Sequence, residues 1–137
     1  MAQDGARLAP MAERSRGWRA VSEPTFRGRA PRSSDGRDFR FGTAGGWTEV
    51  HRCITTLVDL DLAPHPRLGD AACRRLADGL AGLHAAGLLR LYYELSAAES
   101  ALLTDVAARA AFVEAMLEAT LRFASFLRQC GGCVVVL

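Results

Sequence analysis

Residues 105–130 read DVAARAAFVEAMLEATLRFASFLRQC, and this stretch decides the fold class. Its apolar residues recur at every third or fourth position, the period that places side chains on one face of an α-helix. The main stripe consists of Val106, Ala110, Val113, Leu117, Leu121, Ala124 and Leu127. Phe and Met side chains on adjoining stripes widen this surface. An apolar face so wide predicts a central helix that neighbouring helices contact on several sides.

The segments that precede this helix have the same period. It predicts helices over about residues 48–60 and from Asp70 to about residue 86, and an apolar segment follows Gly87. Two glycines inside the second of these helices, Gly79 and Gly82, are costly in a lone helix, so they predict a close neighbour.

The start of the last helix has two candidate signals. Ser96-Ala97-Ala98-Glu99 matches the capping box, in which serine and glutamate side chains satisfy amides of the first helical turn, and it predicts a start at residue 97. Thr104-Asp105 could instead cap a fresh start. Either way, residues 46–137 are predicted to form an all-α domain, a small bundle of about four or five helices.

Residues 1–45 have the composition of a segment that does not fold alone. Proline and glycine interrupt every period, and the few aromatic residues are too scattered to predict a core. We therefore predict a disordered, arginine-rich arm. It holds nine arginines against five acidic residues, whereas the remaining 92 residues carry a net charge of −2.

The arginines of the arm suggest a nucleic-acid interface, because arginine interleaved with aromatic residues can pair with phosphates and stack on bases. The residues assigned to this alternative function are Arg14, Arg16, Arg19, Arg27 and Arg29. All 17 basic residues of the chain are arginine and none is lysine, so codon usage is a competing explanation. A targeting peptide and a linear docking segment are further alternatives, and a solvated linker is the simplest interpretation.

The C-terminal residues Val134, Val135, Val136 and Leu137 form an apolar tail after a glycine pair. Such a tail must dock onto its own domain, pair as an edge strand or meet a partner. We assign these four residues as the predicted partner-binding site. The partner is another protein, or a second copy of the chain in a homo-oligomer.

Cys130-Gly131-Gly132-Cys133 has the spacing of half a zinc knuckle. A structural site needs further ligands, and the candidates are His51, Cys53 and Cys73. Redox activity is disfavoured because the pair follows a helix C-terminus, where the dipole raises the pKa of a thiol. The preferred interpretation is a helix stop flanked by two small apolar residues, so no metal or cofactor is predicted.

No catalytic motif is present: the chain has no nucleophile elbow, phosphate-binding glycine loop or zinc-protease helix. It also has no secretory signal or apolar run of membrane-spanning length, so a cytoplasmic location and free thiols are expected. We predict a non-enzymatic interaction module or adaptor. Its helical domain would bind a partner protein through an apolar groove or the apolar tail.

Overall fold

The computed structural model describes residues 24–42, 46–58, 67–100 and 103–136. Four α-helices account for most of them: α1 (Gly46–Leu57), α2 (Asp70–Ala85), α3 (Leu88–Glu99) and α4 (Val106–Gln129). Four short strands form one sheet: β1 (Thr25–Gly28), β2 (Asp38–Phe39), β3 (Arg67–Leu68) and β4 (Cys133–Val136). The fold is thus mostly helical, as predicted, and the all-α assignment is corrected by this small antiparallel sheet.

The predicted central helix is α4, which packs against α2, α3 and α1. From Val113 onward its apolar stripe is buried except at Leu121, which is half-buried, whereas Val106 and Ala110 at its start are exposed. Asp105 is the N-cap, and its carboxylate accepts a hydrogen bond from the Ala108 amide at 3.2 Å. The second of the two predicted start signals is therefore the one that operates.

The capping-box prediction is wrong, because residues 96–99 form the last turn of α3. The Ser96 hydroxyl is engaged elsewhere, since it donates to Oε2 of Glu49 on α1 at 3.0 Å. A helix already in progress leaves no orphan amides for a capping box to satisfy, so the motif has no function at that place.

The predicted close neighbour of the α2 glycines is present for only one of them. A Cβ placed on Gly79 would lie 3.3 Å from Cγ1 of Val58, whereas one placed on Gly82 would meet nothing within 4 Å. Gly87 has φ = +77° and is the left-handed residue that separates α2 from α3.

The sheet has the strand order β2-β1-β4-β3, and every neighbouring pair is antiparallel. Strand β4 lies between β1 and β3, with Val135 opposite Phe26 and Cys133 opposite both Gly28 and Leu68. The residues that close the described chain are therefore an interior strand of the sheet.

Residues 24–42 belong to this folded domain, which corrects the disordered arm predicted for residues 1–45. Phe26, Phe39 and Phe41 are buried, and their rings lie within 6.5 Å of the Phe123 ring or of each other. Aromatic residues that are isolated in the sequence thus meet in space on the surface of α4, and their burial stabilises the segment. Residues 1–23 and 43–45 lie outside the described residues.

Candidate functional site

Three cysteines meet at the corner where α4 turns into β4. Cys130 is the C-cap of α4, Cys133 is the first residue of β4, and Cys73 lies in the first turn of α2. All three are fully buried. Their sulfur atoms lie within 4.8 Å of one another, and the Sγ atoms of Cys73 and Cys133 are 3.8 Å apart. We call these three residues the cysteine cluster.

The glycines between Cys130 and Cys133 allow the chain to reverse direction within two residues. Gly131 has φ = +64° and Gly132 has φ = +90°, the left-handed region that glycine adopts without strain. Space is also restricted, because a Cβ on Gly131 would collide with the backbone carbonyl of Ala30. The turn therefore needs glycine for both its conformation and its packing.

A second segment holds the turn from outside. The amides of Arg29, Ala30 and Arg32 donate to the carbonyls of Gly132, Cys130 and Gln129, at 2.8, 3.0 and 2.7 Å. Because these bonds join backbone atoms, they fix the turn independently of side-chain rotamers.

The same segment is joined to α2 by an ion pair. The Arg32 guanidinium binds both carboxylate oxygens of Asp70, at 3.1 and 2.8 Å, and lowers the pKa of that carboxyl. It also donates to the carbonyl of Arg128 at 3.2 Å. The Arg32 side chain therefore connects the start of α2, which carries Cys73, to the end of α4, where Cys130 is the C-cap.

Of the three thiols, those of Cys73 and Cys133 lie at hydrogen-bond distance, with 3.8 Å between their sulfur atoms. The neighbouring side chain of Cys133, followed by that of Cys73 and by the Gly132 backbone, lowers the pKa of Cys130. The proximity of Cys130 raises the pKa of the other two thiols. The sequence predicted that the dipole at the helix C-terminus raises the pKa of a thiol here. The pKa of Cys130 is instead lowered, because the neighbouring side chains outweigh that effect.

Of the further ligands considered from sequence, the structure brings only Cys73 to the C-x-x-C pair. Cys53 is equally buried but lies on α1, where burial raises the pKa of its thiol to about 11. His51 is also on α1, with its ring beside that of Trp47. Across the described ranges, the cysteine cluster is the one group of three or more possible ligands that meet closely enough to share an ion.

The predicted partner-binding tail is largely covered by its own domain. Val134 is half-buried, Val135 is buried and Val136 is 42% exposed, while Leu137 lies outside the described residues. The tail therefore docks onto its own domain, which is the first of the three alternatives. It does so as an interior strand of the sheet and not as an edge strand.

The predicted nucleic-acid residues are only partly described. Arg27 on β1 and Arg29 just after it are both exposed, and Arg14, Arg16 and Arg19 lie outside the described residues. Nucleic-acid binding through these five arginines stays a prediction.

A feature that the sequence interpretation missed is the outer face of α3. Leu88, Leu91 and Leu95 are 43, 49 and 55% exposed. We call these three residues the leucine face. The signal was present in the sequence, because α3 has a second apolar stripe, Leu89, Tyr93 and Ala97, that already supplies its buried side.

Comparison of the chain with protein-family models, with curated proteins and with solved structures found no match. Among the described residues, no helix has both the length and the apolar character needed to cross a membrane.

Proposed function

We propose that this domain is a protein-interaction module whose leucine face binds an amphipathic helix of a partner protein. The observation that carries the proposal is the two-sided apolar character of α3. One stripe packs into the domain and the other points to solvent. An exposed apolar stripe on a helix whose other apolar stripe is already buried is a common sign of an interface.

The spacing of the leucine face favours a helix as its occupant. The steps of three and then four residues from Leu88 to Leu91 to Leu95 are those of a and d positions in helix pairs. Side chains at this spacing form a narrow stripe, which an opposing helix can fill with its own apolar stripe.

The charges beside the leucine face favour a basic partner. Glu94 and Glu99 are exposed and lie three and four residues after members of the face, so they are its neighbours on the helix surface. Arg90 is the one basic residue of α3, and it is paired with Glu114 of α4 at 2.8 Å. A second copy of α3 would place its own Glu94 and Glu99 against those of the first copy, and this repulsion argues against self-pairing.

The small size of the leucine face implies weak, reversible binding. Three partly exposed side chains offer much less than the ~800 Å² that each partner buries in a standard stable interface. We expect a dissociation constant in the micromolar range or weaker when this face acts alone.

The test uses the full chain and a synthetic peptide of about 20 residues, a length at which isolated helices become stable enough to study. The peptide has leucines at a and d positions and Arg and Lys on its flanks, and fluorescence anisotropy reports binding. We expect Leu91→Glu to weaken binding about tenfold or more. The matched control is Val136→Glu, which alters an apolar residue that is 42% exposed on the sheet, and it should bind as the native chain does.

Two results would reject the proposal. One is equal binding of the basic peptide and of a peptide with acidic flanks. The other is self-association through the same face. It would appear in sedimentation as a molecular mass of the native chain that rises with concentration and that no longer rises in Leu91→Glu, and it would mean that a second copy occupies the leucine face.

A further inference from the structure

The cysteine cluster has a geometry that goes beyond ordinary packing of thiols in a core. A single ion bound at about 2.3 Å from each thiolate requires sulfur-to-sulfur distances of about 3.8 Å in a tetrahedral arrangement and about 4.0 Å in a trigonal one. The separation of 3.8 Å between Cys73 and Cys133 meets this requirement, and all three sulfurs lie within 4.8 Å of each other. A metal ion would fit here with small side-chain movements.

A disulfide is a poorer explanation of the same three residues. Its sulfurs must approach to about 2.05 Å, and a bond between any two of the cysteines would leave the third unused. All the cysteines in the chain are free thiols in this structure.

The backbone around the cluster is held in place by outer contacts. Amides of the segment around Ala30 donate to carbonyls of the turn between Cys130 and Cys133. The Arg32 guanidinium joins Asp70 at the start of α2 to the end of α4. Such outer contacts orient metal ligands and tune their affinity.

The chemical class of the ion follows from its ligands. Three thiolates are a soft donor set, which selects Cu(I) and Zn²⁺ over Mg²⁺, Ca²⁺ and Mn²⁺. No fourth Cys, His, Asp or Glu ligand atom joins the group within the described ranges. Three sulfurs alone satisfy trigonal Cu(I), whereas Zn²⁺ takes a fourth ligand in addition.

We propose that Cys73, Cys130 and Cys133 together bind one thiophilic metal ion, Zn²⁺ or Cu(I), at the corner between α4, β4 and α2. Each thiol that becomes a ligand releases its proton to solvent, so binding converts three S–H groups into three metal–sulfur bonds. The ion would join the end of the central helix, the interior strand of the sheet and the start of α2.

The experiment uses the reduced, chelator-treated full chain, titrated with Zn²⁺ or with Cu(I) against a competing chromogenic chelator. We expect one ion per chain. Cys73→Ser, Cys130→Ser and Cys133→Ser should each weaken binding by about 100-fold or more, beyond the 10- to 100-fold typical for loss of a supporting residue. Cys53→Ser is the matched control, because it alters an equally buried thiol on α1 and should leave affinity unchanged.

A second measurement on the native chain covers the possibility that a serine variant fails to fold. X-ray absorption at the metal edge should give three sulfur neighbours at about 2.3 Å. A fourth, lighter neighbour would identify the zinc form, and three sulfurs alone would identify the Cu(I) form. Fewer than three sulfurs, or equal affinity of the native and Cys130→Ser chains for both ions, would overturn the proposal.

Discussion

Two apolar segments of this chain, β4 and α3, differ from their sequence-based expectations in opposite directions: β4 is more buried than expected, and the leucines of α3 are more exposed. The valines of β4 follow a glycine pair near the C-terminus and were expected to be an exposed partner-binding tail, yet they are an interior strand. The leucines of α3 were expected to be part of a helical bundle, yet three of them face solvent. Whether an apolar segment is buried depends on which other segment of the chain packs against it, and a periodic sequence pattern does not identify that segment.

The largest difference should appear when the same charge is placed in each segment. Val135→Glu puts a carboxylate in the buried middle of β4, opposite Phe26, and should cost about 3–5 kcal/mol, because an unpaired charge loses its solvation. Leu91→Glu changes an exposed position and should alter the free energy of unfolding by less than about 0.5 kcal/mol. Urea unfolding followed by circular dichroism measures both. Equal effects of the two substitutions would contradict the assignment of inside and outside.

Strand β1, which pairs with β4, offers the next test. Phe26 is fully buried on β1, and its ring contacts those of Trp47, Phe41, Phe123 and Phe126. Phe26→Ala should destabilise the domain by about 3–5 kcal/mol, the usual range for a core aromatic. Arg29→Ala, three residues away and exposed, is the control and should change stability little. A small loss of stability in Phe26→Ala would contradict the conclusion that residues 24–42 belong to the folded domain.

Metal should stabilise the β4 corner by a smaller amount. If the cysteine cluster binds Zn²⁺ in the folded state only, free Zn²⁺ at 100 times its dissociation constant adds about 2.7 kcal/mol to the free energy of unfolding. Urea unfolding with and without the ion measures this shift. The shift should be present in Cys53→Ser and absent in Cys133→Ser, and its presence in both variants would place the binding elsewhere.

The smallest expected effect concerns a glycine that has no close neighbour. Gly82 lies in α2, and a Cβ there meets nothing within 4 Å, so Gly82→Ala should stabilise the domain by about 0.5–1 kcal/mol. Gly28→Ala is the opposite case, because its Cβ would collide with the carbonyl of Gly36 where β1 pairs with β4. Thermal unfolding of the two variants should shift in opposite directions. A loss of stability in Gly82→Ala would reveal packing on α2 that the fold does not account for.

The helices could be predicted from sequence because their signals are local. The period of three and four residues locates α4 and α2, and Asp105 marks the start of α4 with its own side chain. The sheet could not be predicted in this way. Strand β4 pairs with β1 near the other end of the described chain, and β2 and β3 have two residues each, too few for a recognisable alternation.

The candidate sites show the same division between local and distant information. The C-x-x-C spacing of Cys130 and Cys133 is visible in the sequence, but Cys73 was one of three candidates that only the fold could separate. The leucine face could have been found by counting, since α3 has more apolar positions than one buried side can use.

Hydrogen exchange of the intact chain, read by mass spectrometry on the peptide that covers residues 130–136, tests most directly whether the apolar tail is an interior strand. Pairing with β1 on one side and β3 on the other should make the amides of this peptide exchange about as slowly as those of α4, at rates set by global unfolding. Exchange as fast as that of an unstructured peptide would contradict the interior position of β4 and the cysteine cluster that depends on it.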